Sequence, residues 1–274
     1  MLPPAFDYVR AASVDEAAAL LADHGDDAKL LAGGHSLLPL MKLRLASPAV
    51  LVDIGRVSDL SYVRDAGDHV AIGALSRHHD VERSPLLQAE VPLLAHVAGL
   101  VGDPQVRHRG TLGGSLAHGD PASDLPAALL ALDATLVARG PGGERTIPVS
   151  DFFTGFLETA LDPAEMLVEV RVPKTAGAGW SYQKFTRRAI DWAIVGVAAL
   201  HNGATRVALV NMGATPLRAT AVETAVDAGT GAADAAAVAA EGTEPPTDLN
   251  ASPDFRRHLA RVLVRRALEG AGVS

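Results

Sequence analysis

Two short glycine motifs hold the residues of this chain best suited to chemistry. The first, Ala32-Gly33-Gly34-His35-Ser36, reads as a strand running into a helix. The second, Thr111-Leu112-Gly113-Gly114-Ser115, follows eighty residues later and continues into Asp120-Pro121-Ala122-Ser123-Asp124. Paired glycines let a backbone come close to a ligand and adopt positive φ, so that consecutive N–H groups converge on an anion. The Ser and Thr hydroxyls add donors, and a helix opening after Ser36 points its positive end at the same place. Two such turns from separate units suit a diphosphate gripped from both sides. Each motif alone reads more readily as a tight strand-to-helix turn.

Other chemistries fail on residue type or spacing. Gly229-Thr230-Gly231-Ala232-Ala233-Asp234 lacks the third glycine of a dinucleotide fingerprint and follows a helix, and no P-loop pattern occurs. Gly113-Gly114-Ser115-Leu116-Ala117 lacks the final glycine of a nucleophile elbow. His78-His79-Asp80 has no supporting metal-ligand spacing and reads as the surface of a helix. With no cysteine, the chain has no disulfide, thiolate zinc site, cysteine nucleophile or cysteine-ligated iron–sulfur cluster. The charge sum, 24 − 32 = −8, argues against a coat for nucleic acid or anionic lipid. No apolar run reaches the ~18–20 residues of a membrane span. The N-terminal Met1-Leu2-Pro3-Pro4 lacks the basic start of a signal peptide. A cytoplasmic protein is expected.

The elements that must position these motifs follow from local pattern. Strands are expected at 6–10, 29–32 and 49–53. A helix opens on the capping box Ser13-Val14-Asp15-Glu16 and stops at Gly25, and a second covers 37–44, giving a β-α-β-α-β unit. A second unit begins near Leu60, with a strand at 70–73 and a short helix capped by Ser76. One longer helix is expected from Ser84-Pro85 to Gly99 and another over 120–132. A hairpin turns at 140–143, and a strand follows at 166–172. Composition shifts over 173–179. Antiparallel strands are then expected at 180–185, 193–200 and 205–212, followed by Ala-rich helices from Ala219 and Asp234. The terminal helix, 254–269, carries Arg256, Arg257, Arg261, Arg265 and Arg266, which read as a solvated or partner-facing surface.

With these motifs in order, the chain resembles the FAD-binding medium subunits of the molybdenum hydroxylases, of the carbon monoxide dehydrogenase type. The resemblance rests on Ala32 to Pro39, on Thr111 to Ser115 with the Asp120 to Asp124 extension, on Thr186 to Ala199 and on Gly213 to Ala219, and it runs the whole chain. It implies an α+β fold of the PCMH/vanillyl-alcohol-oxidase type. Two α+β subdomains, at about 1–57 and 58–175, would clasp FAD, and a C-terminal domain at 176–274 would hold a small antiparallel sheet and helices. Carried over by position, Ala32, Gly33, Gly34, His35, Ser36 and Leu37 would hold the pyrophosphate and nearby ribityl atoms together with Thr111, Leu112, Gly113, Gly114 and Ser115. Asp124, Leu167, Lys184 and Trp192 would complete the noncovalent site, with Lys184 and Trp192 at the flavin end. On pattern alone Leu167 is a core residue, Lys184 a strand lysine and Asp124 a helix brace. Two positions depart from the family: Trp192 stands where tyrosine is common, and Ser115 where asparagine is frequent.

The resemblance further implies a division of labour. A large molybdopterin subunit would oxidise the substrate, and a small subunit with two [2Fe–2S] clusters would relay electrons. This chain would pass them through FAD to NAD+, a quinone or oxygen, in a dimer of heterotrimers. No catalytic acid or base and no metal ligand are assigned here. The alternative is a self-contained FAD-dependent oxidoreductase of related fold; a binding protein whose glycine motifs are only turns is the third reading.

Overall fold

The computed structural model describes residues 2–274; Met1, on which the N-terminal reading and the first expected unit open, lies outside the described residues. Strands β1 (Asp7–Arg10), β2 (Ala28–Leu31) and β3 (Val50–Asp53) form a parallel sheet in the order β1-β3-β2. Helices α1 (Val14–His24) and α2 (Leu37–Lys42) supply the crossovers that parallel pairing requires. Ser13 caps α1, its Oγ accepting from the Glu16 amide at 3.1 Å. The Glu16 carboxylate reaches back one residue further than a capping box needs, to the Ala12 amide at 2.6 Å. β2 is an edge strand, so Leu30 and Leu31 are only half-buried.

The second unit contributes β4 (Val63–Asp65), β5 (His69–Gly73), β6 (Thr135–Gly140), β7 (Gly143–Pro148), the ribbon β8 (Phe153–Gly155) and β9 (Glu158–Thr159), and β10 (Met166–Pro173). Five of these make an antiparallel sheet in the order β4-β5-β10-β6-β7. The β10 register against β6 shifts between Leu167 and Glu169, and the Val168 carbonyl instead accepts from the Ala74 amide at 3.0 Å. Helices α3 (His78–Arg83), α4 (Pro85–Glu90), α5 (Pro92–Gly99), α6 (Pro104–Arg107), α7 (Leu112–His118) and α8 (Asp124–Ala131) cover it.

Three local expectations are corrected here. The single helix over 84–99 is two, because Pro92 has no N–H to continue the ladder and Val91 before it leaves the helical region (φ −141, ψ 58). The helix expected from Asp120 starts at Asp124, because the Asp120 carboxylate accepts from the Ala122 amide at 2.8 Å and closes a turn instead. Ser76 does not cap α3: Arg77 occupies that position, and the buried Ser76 hydroxyl donates to the Tyr62 carbonyl at 2.9 Å.

Strands β11 (Gly179–Phe185), β12 (Val195–His201), β13 (Thr205–Val210) and β14 (Leu217–Arg218) form the C-terminal antiparallel sheet. Helices α9 (Thr220–Asp227), α10 (Ala232–Ala235) and α11 (Pro253–Gly270) follow it. α11 packs on β11 and β12, while α8 lies between that sheet and helices α5 and α7. Every residue of α8 is therefore buried, which explains its apolar composition on all faces. The arginine-rich surface expected on α11 is broken at Arg256, which is fully buried, donates to the Ile194 carbonyl and pairs with Asp248 at 2.7 Å. Arg261, Arg265 and Arg266 are exposed. No helix among the described residues is long and apolar enough to cross a membrane.

Candidate functional site

All three units meet around a cleft of about 840 Å³. That volume lies in the range of small-molecule and cofactor sites. Ala32, Gly33, Gly34, His35, Ser36 and Leu37 line it from the first unit. Thr111, Gly113, Gly114, Ser115, Asp124 and Leu167 line it from the second, and Lys184 and Trp192 from the third. Leu112 is the exception among the expected contacts, its side chain fully buried in the core. The segment from Thr154 to Met166, which carries no motif, supplies a further wall.

The two glycine motifs turn out to be different devices. A Cβ on Gly33 would lie 2.3 Å from the Arg109 carbonyl oxygen, so this glycine lets the first turn press against the chain leading into the second motif. Gly34 has φ +78, the left-handed region that other residues avoid. The second motif is not a loop but the first turn of α7, capped by Thr111. A Cβ on Gly113 would meet the Ala74 Cβ at 2.6 Å. In both motifs a glycine thus admits the protein's own chain, a demand the sequence reading placed on the ligand.

Backbone donors divide the same way. In α7 the Leu112 and Gly113 amides donate to the Ser76 and Ala74 carbonyls, both at 2.9 Å. Gly114 donates to Thr111 Oγ1 at 3.1 Å and Ser115 to the Thr111 carbonyl at 3.0 Å. The amides of Gly33, Gly34, His35, Ser36 and Leu37, by contrast, make no hydrogen bond within the chain among the described residues. Unpaired amides ask for an acceptor, and five in succession on a cleft wall fit an anionic group such as a diphosphate. The grip from both sides expected from sequence is therefore one-sided in its backbone donors. The second motif offers side-chain hydroxyls, Ser115 among them.

At the far wall, β11 alternation puts Tyr182 and Lys184 on one face, toward the first turn of α8. Lys184 Nζ donates to Asp124 Oδ2 at 2.8 Å and to the Leu100 carbonyl at 3.1 Å. Tyr182 Oη donates to Asp124 Oδ1 at 2.6 Å. The Asp124 carboxyl stays above its ordinary range, because burial raises it by more than the Lys184 charge and the two hydrogen bonds lower it. Burial, and then the neighbouring Asp124, push the Tyr182 phenol well up, so it stays a proton donor. An ammonium with two of its protons committed retains a third for a cleft occupant. Asp124 thus braces Lys184, its carboxylate bonding Tyr182 and Lys184 rather than an amide of its own helix. Tyr182 carries no sequence motif; its only signal is its position two residues before the lysine.

Trp192 is 59% exposed and borders both the cleft and a second cavity of about 650 Å³. Asn211 holds the residue after Trp192 in the chain, its Nδ2 donating to the Ala193 carbonyl at 2.9 Å and its amide to the Pro121 carbonyl at 2.8 Å. His78, read from sequence as surface, is 4% exposed and lines the cleft. It sits there because it follows the buried run from Val70 to Ser76 directly into α3, its amide donating to the Gly110 carbonyl at 3.1 Å. No cluster of potential metal ligands occurs among the described residues.

Comparison with known proteins gives the family. Residues 4–175 match the FAD binding domain in molybdopterin dehydrogenase, and residues 180–271 the CO dehydrogenase flavoprotein C-terminal domain. The chain is 45% identical to the carbon monoxide dehydrogenase medium chain of Hydrogenophaga pseudoflava over 285 residues, covering 99% of this chain and 98% of that protein. It is 40% identical over 283 residues to the 6-hydroxypseudooxynicotine dehydrogenase complex subunit alpha of Paenarthrobacter nicotinovorans, covering 99% and 96%. A chain of the solved carbon monoxide dehydrogenase from Hydrogenophaga pseudoflava superposes with a TM-score of 0.96 at 46% identity, over 99% of both chains. The protein belongs to the family of FAD-binding medium subunits of the molybdopterin dehydrogenases, oxidoreductase subunits whose cofactor is FAD.

Proposed function

We propose that this chain is the electron-output subunit of a molybdenum hydroxylase complex. It takes electrons from [2Fe–2S] clusters on a small partner subunit and passes them to an external acceptor, NAD+, a quinone or oxygen. A large molybdopterin subunit oxidises the substrate, and the whole is a cytoplasmic dimer of heterotrimers. The observation that carries this reading is the run of five unpaired amides, Gly33 to Leu37, facing a Lys184–Asp124 pair across one cleft, in a chain similar to medium subunits over its full length. The absence of cysteine supports it, since a cluster relay must then lie on another polypeptide.

FAD, when bound, supplies a centre that holds one or two electrons and so joins single-electron relays to two-electron acceptors. The chain's own residues do the rest. The amides of Gly33 to Leu37 and the hydroxyl of Ser115 hold the diphosphate. Leu167 packs against the cofactor, and Lys184, fixed by Asp124, places a positive charge at the flavin end. The indole of Trp192 screens that end from water. Residues 1–175 form the cofactor unit, and residues 176–274 close it by presenting Lys184 and Trp192.

The test is the absorption spectrum of the purified chain before and after incubation with FAD, followed by acid precipitation. Flavin bands near 370 and 450 nm, on the order of those of any protein-bound flavin and released by acid, are expected. Turnover of a small-molecule donor by the isolated chain would favour a self-contained oxidoreductase instead.

A further inference from the structure

The imidazole of His78 carries the one side-chain polar atom of the cleft lining that is sealed from solvent and yet unpaired among the described residues. Nδ1 is sealed from solvent with no hydrogen-bond partner; Nε2 makes no bond within the chain either, but is not sealed. That asymmetry selects a tautomer. A proton on Nδ1 would bury an orphaned N–H, which native structures almost never do, whereas a proton on Nε2 leaves only a lone pair unsatisfied. Nε2 is therefore the donor, on the nitrogen that the cleft can reach.

Its position relative to the free amides follows from two glycines. A Cβ on Gly110 would lie 2.7 Å from His78 Nε2, and a Cβ on Gly33 would lie 3.0 Å from Gly110 Cα. Gly110 thus packs against both the imidazole and the unpaired turn of the first unit, and all three line the same cleft. Burial, and then the nearby His35, Arg107 and Arg77, hold its pKa down to about 4. A neutral ring donates one proton and adds no charge.

We propose that His78 is a cofactor ligand, its Nε2–H donating to a diphosphate oxygen of FAD beside the amides of Gly33 to Leu37. The inference rests on the FAD reading given above and extends the site to a residue outside both glycine motifs.

The test uses the FAD-depleted full chain and three probes: FAD, ADP as a diphosphate without flavin, and riboflavin as a flavin without diphosphate. Binding is followed by flavin fluorescence, with ADP as competitor. His78→Leu is expected to weaken FAD and ADP by about 10- to 100-fold and to leave riboflavin unchanged. His78→Gln, which keeps an N–H near the Nε2 position, is expected to stay within about threefold. Nitrogen-15 NMR of the imidazole provides a readout that merely structural packing would not move: the Nε2–H tautomer above pH 6, with its resonance shifted by ADP. A wild-type chain that binds FAD while His78→Leu binds FAD and ADP equally well overturns the proposal. So does an equal loss for riboflavin. A wild-type chain that binds neither FAD nor ADP overturns the cofactor reading itself.

Discussion

Lys184 Nζ lies 2.8 Å from Asp124 Oδ2, with the lysine side chain 9% and the aspartate 5% exposed. This pair fastens the C-terminal sheet to the buried helix α8 at the edge of the cleft, so the charge offered to the cofactor and the docking of one domain on another are a single contact. A buried ion pair is retained at a desolvation cost that geometry must offset, and losing one partner strands the other.

Lys184→Met is accordingly expected to destabilise the chain by about 3–5 kcal/mol, because Asp124 is left buried with only Tyr182 as donor. The double variant Lys184→Met/Asp124→Leu should regain part of that loss, the rest being the cost of leaving the buried Tyr182 hydroxyl without its acceptor. Urea denaturation of the four chains of this cycle measures it; additive losses would show that the two residues do not act as a pair.

Gly33→Ala drives a methyl group to 2.3 Å from a backbone oxygen, which no side-chain rotation relieves. We expect a loss of about 1–3 kcal/mol and weakened FAD retention. Gly142→Ala, where nothing lies within 4 Å of the added carbon, should stay within about 0.5 kcal/mol. Thermal melts of both variants, with and without FAD, make the comparison.

Amide exchange separates the two glycine motifs. Adding FAD should slow exchange over Gly33 to Leu37, whose amides are unpaired in the chain, and change Leu112 to Ser115 little, because those amides are already bonded. Equal new protection in both segments would contradict the one-sided grip. The readout is hydrogen–deuterium exchange mass spectrometry on peptides covering each motif.

The pH dependence of stability carries a His78 signature. Its pKa falls from 6.5 in the unfolded chain to about 4 in the fold. Between those values the unfolded chain takes up a proton that the folded chain refuses, so stability drops as pH falls from 6.5 to 4. The full loss is about 3 kcal/mol. His78→Gln lacks this dependence, and urea midpoints across pH 6.5 to 4 should differ between the two chains by that slope.

Arg256→Met and Arg265→Met test the corrected face of α11. Arg256 is fully buried and donates to the Ile194 carbonyl, and its loss should cost about 1–3 kcal/mol by leaving that buried acceptor unpaired. Arg265, exposed and paired among the described residues only with Glu269 one turn on, should matter by about 0.5 kcal/mol or less. Thermal denaturation distinguishes them.

What could be read from the chain before its structure was what depends on near neighbours. The Ser13 cap, the Gly25 stop, the 140–143 hairpin and the strand-to-helix turn at Gly33-Gly34 are all closed within a few residues, where residue type decides φ, ψ and capping. Where a local rule was set aside, local evidence existed: Pro92 was enough to divide α4 from α5. The Thr111 cap was likewise enough to start α7.

The sequence by itself determined the alternation of elements, the two glycine motifs, the family they belong to and the absence of any cysteine chemistry. Only the tertiary structure decided which of the two motifs keeps its amides free, since that depends on whether Ala74 and Ser76 lie within reach to accept them. It also decided that Asp124 meets Tyr182, 58 residues away, and Lys184, 60 away, and that His78 and Arg256 are buried. Residue type states what a side chain can donate or accept. Whether that capacity is spent inside the protein or left facing a cleft is fixed by how sheets and helices from distant segments pack, and neighbours in sequence do not carry that information.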